Sequence, residues 1–127
     1  MKIMVVDDSV TMRRIIVVNL KKAGYSDILE AESGKQALDQ LRSPASIGGV
    51  PDVMLLDWNM PEMNGIDLLK TIKADESLKA LPVIMVTTES EKERVLLALQ
   101  TGAMGYLVKP ITPESFQKQV IERLPKK

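Results

Sequence analysis

The chain has 127 residues, 45% of them apolar and 27% charged, which suits one compact domain and is too short for two. Its 17 basic residues balance its 17 acidic ones, so no net field steers it toward nucleic acid or an anionic membrane surface. With no Cys and no His, the sequence excludes disulfides, thiolate nucleophiles, zinc ribbons, iron–sulfur clusters, imidazole bases and His-ligated metals; an all-oxygen site for Mg²⁺, Mn²⁺ or Ca²⁺ stays open.

Residues 3–6 are an apolar run rich in β-branched side chains, the pattern of a strand covered on both faces. The run is too short for a signal peptide or a spanning helix, so a cytoplasmic location is expected. It ends at Asp7-Asp8-Ser9. Ser9 is expected to cap a helix that turns Met12, Ile15, Ile16 and Leu20 inward and stops at Gly24. Residues 28–31 read as a second strand. Ser33 then caps a helix with Ala37, Leu38 and Leu41 inward. Residues 43–51 hold two Pro, two Gly and two Ser and read as a loop.

Residues 53–56 form a third strand, ending at Asp57. Pro61 and Asn64-Gly65 shape the next loop, before a helix lined by Ile66, Leu69 and Ile72. Pro82 precedes a fourth strand, residues 83–86, ending at Thr87-Thr88. A fourth helix runs from about Glu91 to Thr101 and stops at Gly102. Residues 106–108 make a fifth strand, ending at Lys109-Pro110. Thr112 opens a last helix containing Phe116, Val120 and Leu124. Alternation of this kind gives an α/β domain, with a parallel sheet, right-handed crossovers and helices on both faces. A single domain over 1–127, with no output domain after it, is expected. The eight scattered Met residues read as core filler, and Lys126-Lys127 as a frayed end.

Ligands of such sheets bind beyond the carboxyl ends of the strands. Asp7 and Asp8 follow the first strand, Asp57 the third, Thr87 and Thr88 the fourth, and Lys109 the fifth. Three carboxylates against one ammonium leave two negative charges uncompensated, and one divalent cation neutralises them. Mg²⁺ suits a few carboxylates, a backbone carbonyl and waters. A neutralised rim carrying a Lys is a receptor for phosphoryl groups. Asp57 stands alone at the end of the central run, while Asp7 and Asp8 form a pair suited to metal. Asp57 is therefore the candidate nucleophile that forms an acyl phosphate. Lys109 would meet one phosphoryl oxygen and Thr87 another.

Asp7-Asp8, the stretch Leu56-Asp57-Trp58-Asn59-Met60-Pro61-Glu62-Met63-Asn64-Gly65, Thr87, Tyr106 and Lys109-Pro110 together resemble the receiver domain of two-component response regulators, over essentially the whole chain. Trp58-Asn59-Met60-Pro61 and Thr87-Thr88-Glu89 favour the single-domain chemotaxis regulators within that family. The resemblance implies a flavodoxin-like (βα)5 sandwich with strand order 2-1-3-4-5. It implies that Asp57 takes phosphoryl from a kinase phosphohistidine. It also implies that Asp8, Asp57 and the Asn59 carbonyl hold Mg²⁺, with Asp7 nearby through water, and that the Lys109-Pro110 bond is cis. Thr87 then moves toward the phosphoryl group and Tyr106 turns inward behind it.

By the same resemblance the readout face includes Lys92, Val95, Leu99, Tyr106, Ile111 and Gln119. It docks on a flagellar motor switch protein and overlaps the face used by a chemotaxis-type histidine kinase. A phosphatase is a further partner; nucleic acid and membrane insertion are not implied, and the protein is expected to be a monomer. Asn59 and Glu89 flank the attacking water and imply a short-lived phosphoryl group, while Trp58 becomes a reporter of metal and phosphoryl binding. Ile111, where Phe is common, and a bulky Leu99 depart from the family pattern, and residues 43–51 are longer than in compact members. The expected role is a phosphoacceptor signalling protein, not an enzyme. A receiver of a non-chemotaxis phosphorelay is the alternative. An aspartyl-nucleophile phosphatase is disfavoured because its usual Asp-x-Asp is here Asp7-Asp8 without a spacer. A flavodoxin is disfavoured because two Asp would repel an FMN phosphate.

Overall fold

Strands buried on both faces need helices above and below them, and the chain supplies both layers. The computed structural model describes residues 1–88 and 92–124. Its elements are β1 (Lys2–Val6), α1 (Val10–Lys22), β2 (Asp27–Ala31), α2 (Gly34–Leu41), β3 (Val53–Leu56), α3 (Gly65–Ala74), β4 (Val83–Thr87), α4 (Lys92–Thr101), β5 (Gly105–Val108) and α5 (Pro113–Gln119). The strands pair in parallel in the order β2-β1-β3-β4-β5, the flavodoxin-like arrangement the resemblance implied. Glu89, the helix start at Glu91 and Lys126-Lys127 lie outside the described residues.

Side chains alternate between the two faces of the sheet, and the core divides accordingly. Met4, Val6, Met54, Leu56 and Met85 meet Ala37, Leu41, Leu69, Ile72 and Ala98 of α2, α3 and α4. The intervening Ile3, Val5, Leu55, Ile84 and Val86 meet Ile16, Leu20, Phe116 and Val120 on the side of α1 and α5. Local caps fix where helices begin. The Ser9 hydroxyl accepts from the Met12 N–H at 3.1 Å, Ser33 from Gln36 at 3.1 Å, and the Asn64 side chain from Asp67 at 3.0 Å. Thr112 and Ser115 form a capping box. Gly24 ends α1 with φ 96°, a conformation that disfavours any residue with a Cβ.

Three expectations need correction. Ile15 does not point inward: it is 39% exposed, because the buried stripe of α1 runs through Ile16 and Leu20 and Ile15 lies about 100° around the helix from Ile16. Residues 43–51 are not all loop: Pro44–Ile47 forms a 3₁₀ turn, started by a proline whose φ is preset and closed by Gly48 at φ 79°. The last α-helix stops at Gln119, so Val120 and Leu124 are not in it, although both are buried. A 3₁₀ turn, Ile121–Arg123, follows, and Leu124 is extended with ψ 143°. A proline stands at position 125, and the residue before a proline is pushed out of the helical region.

Candidate functional site

Strand register builds the site. Val6 pairs with Leu56, so Asp7 and Asp57, one residue further on, leave the sheet side by side. The Asp57 N–H still donates to the Val6 carbonyl at 3.0 Å, and Asp7 N–H to that of Ala31 at 3.1 Å. Thr87 is the last residue of β4 and not the first beyond it. Its carbonyl accepts from the Lys109 N–H at 2.8 Å, which sets Lys109 at the same rim. The Lys109-Pro110 peptide is cis.

One oxygen each from Asp7, Asp8 and Asp57 lie within 4.8 Å of one another. Asp7 and Asp57 are buried and Asp8 is exposed. The Lys109 ammonium sits 2.9 Å from Asp7 Oδ2 and 3.5 Å from Asp57 Oδ2. The other Asp7 oxygen accepts from the Ser9 N–H at 2.9 Å. Asp57 Oδ1, by contrast, is buried without a hydrogen-bond partner. Burial pushes the Asp57 carboxyl above its ordinary range, and the neighbouring Asp7 charge adds to this. Lys109, the Thr87 hydroxyl and the Asn59 backbone N–H pull the other way. A buried acceptor with no donor is costly unless something electrophilic completes it. An oxygen donor set around such an atom fits Mg²⁺.

Lys109 is the one ammonium shared by two buried carboxylates among the described residues. Lys109→Met is expected to lower stability by about 3 kcal/mol in magnesium-free buffer, because it leaves uncompensated charge inside. Urea denaturation checks this; a loss under 1 kcal/mol would contradict it.

The structure brings Asp7, Asp8, Asp57, Asn59, Thr87 and Lys109 to this rim. The Asn59 side-chain amide donates to the Thr88 hydroxyl at 3.4 Å, so the loop after β3 is tied to the end of β4. Tyr106 is half-buried and pairs with Met85, on the same sheet face as Thr87 one strand away. The expected readout residues wrap the sheet edge at β5, with α4 on one face and α5 on the other. Lys92 and Leu99 are exposed, while Val95, Tyr106, Ile111 and Gln119 are half-buried. Leu96, Leu97 and Val108 are exposed there too, although apolar spacing did not single them out.

Two residues at the site, and the tight packing of a third, escaped sequence reasoning. Arg13 donates from Nη1 to the Asp7 carbonyl at 2.6 Å and from Nε to Glu30 at 3.1 Å, which anchors the end of β1. Gly65 packs on the Asp57 carbonyl so tightly that a Cβ would collide with it. Arg94 lies over Trp58. Only the Asn64-Gly65 turn signal pointed at any of them.

This chain belongs to the response regulator receiver domain family, which matches residues 3–121. Its relatives include chemotaxis regulators. It is 48% identical over 120 residues, 94% of each chain, to chemotaxis protein CheY1 of Helicobacter pylori. Its fold matches chemotaxis response regulator CheY4 of Vibrio cholerae with TM-score 0.83 at 33% identity, covering 98% of each chain. It matches a Borrelia burgdorferi CheY, solved in a CheX-CheY-BeF3-Mg²⁺ complex, with TM-score 0.86 at 26% identity, covering 98% of this chain and 90% of that one. The domain is thus a receiver of the CheY chemotaxis type, a signalling protein. Among the described residues no helix is long and apolar enough to cross a membrane.

Proposed function

We propose that this receiver accepts a phosphoryl group on Asp57 from a chemotaxis kinase phosphohistidine and signals through its α4–β5–α5 face. The observation that carries the reading is Asp57 itself: a buried carboxylate with one oxygen unpartnered and an ammonium 3.5 Å from the other. An Asp57 oxygen attacks phosphorus, the bond from phosphorus to the donor breaks, and the donor leaves with that electron pair. The product is an aspartyl phosphate. Lys109 stays at hand to pair with a phosphoryl oxygen, and the Thr87 hydroxyl donates to another. Asp7, Asp8, Asp57 and the Asn59 carbonyl are the groups that would hold Mg²⁺. When bound, the ion supplies positive charge against the charge that develops on the phosphoryl oxygens. The Mg²⁺ named in the Borrelia complex supports this assignment.

Thr87 and Tyr106 share one face of adjacent strands, which supports the coupling: Thr87 moves toward the phosphoryl group and Tyr106 fills the space behind it. Leu96, Leu97, Leu99 and Val108 then present an apolar surface to a flagellar motor switch protein. A phosphatase is the further partner, and the Borrelia CheY bound to a second protein, CheX, shows that a receiver of this fold takes a protein partner. The reading places the protein in the cytoplasm as a monomer. Asn59, with Glu89, keeps the phosphoryl group short-lived.

The test is incubation with acetyl phosphate and Mg²⁺, followed by intact mass. An adduct of about 80 Da, one phosphoryl group, is expected; an unmodified mass refutes the reading. Magnesium alone is expected to stabilise the fold, by about 2.7 kcal/mol at a hundred times its dissociation constant, through preferential binding to the native state. Thermal melts with and without MgCl₂ measure this, and Asp8→Asn should remove most of the gain. An equal gain in the variant would show that Asp8 is no ligand.

A further inference from the structure

We propose that Arg94 is a positioning residue that ties α4 to the phosphoacceptor loop through the indole of Trp58. The guanidinium carbon lies 5.3 Å from the ring centroid. A cation over an indole face is held by the ring quadrupole, more firmly where water is excluded, and Trp58 is 4% exposed.

Trp58 is the chain neighbour of Asp57, so whatever fixes its ring bears on the Asp57 carboxylate. The loop around it has little slack. The Gly65 N–H donates to the Trp58 carbonyl at 2.7 Å, and Gly65 abuts the Asp57 carbonyl. The Asn59 side chain reaches across to Thr88. On the other side, α4 packs inward at Ala98, one turn beyond Arg94, and exposes Leu96, Leu97 and Leu99. Arg94 therefore stands between an exposed apolar face and the peptide that carries the reactive carboxylate. The link does not pass through Thr87 or Tyr106, which lie on β4 and β5. Added negative charge at Asp57 attracts the guanidinium, and a load on α4 is felt at Trp58.

The proposal rests on Asp57 being the phosphoacceptor, and the experiment separates the two. Trp58 is the only tryptophan, so its emission reports on the contact without a label. Wild type, Arg94→Gln and Arg94→Lys are compared as full chains. Emission is recorded without metal or phosphoryl donor, and then the rate of labelling by acetyl phosphate with Mg²⁺. Arg94→Gln is expected to shift the emission and to slow labelling about threefold, the size of a partly exposed cation–π contact. Arg94→Lys, which keeps the charge, should restore at least half of the lost rate. Unchanged emission and rate in Arg94→Gln overturn the proposal. So does an emission shift with an unchanged rate, which would mark the contact as packing only. A lysine that restores nothing overturns the charge-based link. Wild type that takes no phosphoryl sinks the phosphoacceptor reading and the proposal together, whereas a labelled wild type with an equal Arg94→Gln sinks the proposal alone.

Discussion

Asp57→Asn is expected to abolish covalent loading and, in magnesium-free buffer at neutral pH, to make the fold more stable. Both effects have one cause. The site holds an ionised carboxylate in a buried position beside Asp7, and Lys109 compensates only in part. The Asp57 carboxyl is raised above its ordinary value of 3.8, so the native state binds its proton more tightly than the unfolded chain does. Native stability therefore falls as pH climbs from that ordinary value through the raised one, and the whole penalty is present once the pH stands above the raised value. Asparagine keeps the shape and removes the charge, and the Lys109–Asp7 pair at 2.9 Å survives. A gain of about 0.5–2 kcal/mol is expected, of the kind seen when function holds a site away from its stability optimum. At roughly 4 °C per kcal/mol for a domain of this size, melting curves resolve it. The gain should shrink toward zero below pH 3.8, where aspartic acid and asparagine are both neutral. A variant less stable than wild type at pH 7 without magnesium would refute the electrostatic argument, and a labelled variant would refute the assignment of the nucleophile.

Gly65→Ala should be among the most damaging single substitutions in the protein. Gly65 opens α3 with an ordinary negative φ, and in a helix alanine would by itself be favoured by about 1 kcal/mol. The surroundings reverse that sign. An added Cβ would strike the Asp57 carbonyl oxygen and come within 2.9 Å of the Trp58 Cα, both of them backbone atoms that cannot rotate away. Relief requires moving the Asp57–Trp58 peptide or the start of α3. A loss of about 3 kcal/mol is expected, the upper range for overpacking. Phosphoryl loading should fall as well, because the carboxylate moves with its own peptide. Gly24→Ala is the control. It has φ 96° and nothing within 4 Å, so its cost is conformational alone, about 1–2 kcal/mol, and loading should stay intact. Urea midpoints and labelling rates measured side by side distinguish the two. If Gly65→Ala matches wild type in both, the close approach has no energetic weight.

Much of the scaffold is readable locally. Ser9, Ser33 and Thr112 announce helix starts because a hydroxyl that caps a backbone N–H acts within three residues. Residues 53–56 announce a central strand because burial on both faces demands an unbroken apolar run. The misreadings come where a neighbour decides. Ile15 has helical spacing, but the width of the buried stripe depends on what α1 packs against. Val120 and Leu124 have helical spacing too, but a core can accept them from a 3₁₀ turn and an extended residue as well as from a helix.

At the site the division is sharper. The sequence by itself determined which groups stand at the strand ends: acids at 7, 8 and 57, a hydroxyl at 87, an ammonium at 109. It did so because strand, turn and cap preferences are short-range. Only the tertiary structure decided how those groups share their partners. Register between β1 and β3 sets Asp7 beside Asp57, Lys109 leans closer to Asp7, and one oxygen of Asp57 is left without a donor. Arg13 and Arg94 take their places, and Gly65 meets the Asp57 carbonyl, through contacts that no local pattern encodes. The reason is that charge balance and close packing depend on distances between segments far apart in the chain, and folding alone sets those distances.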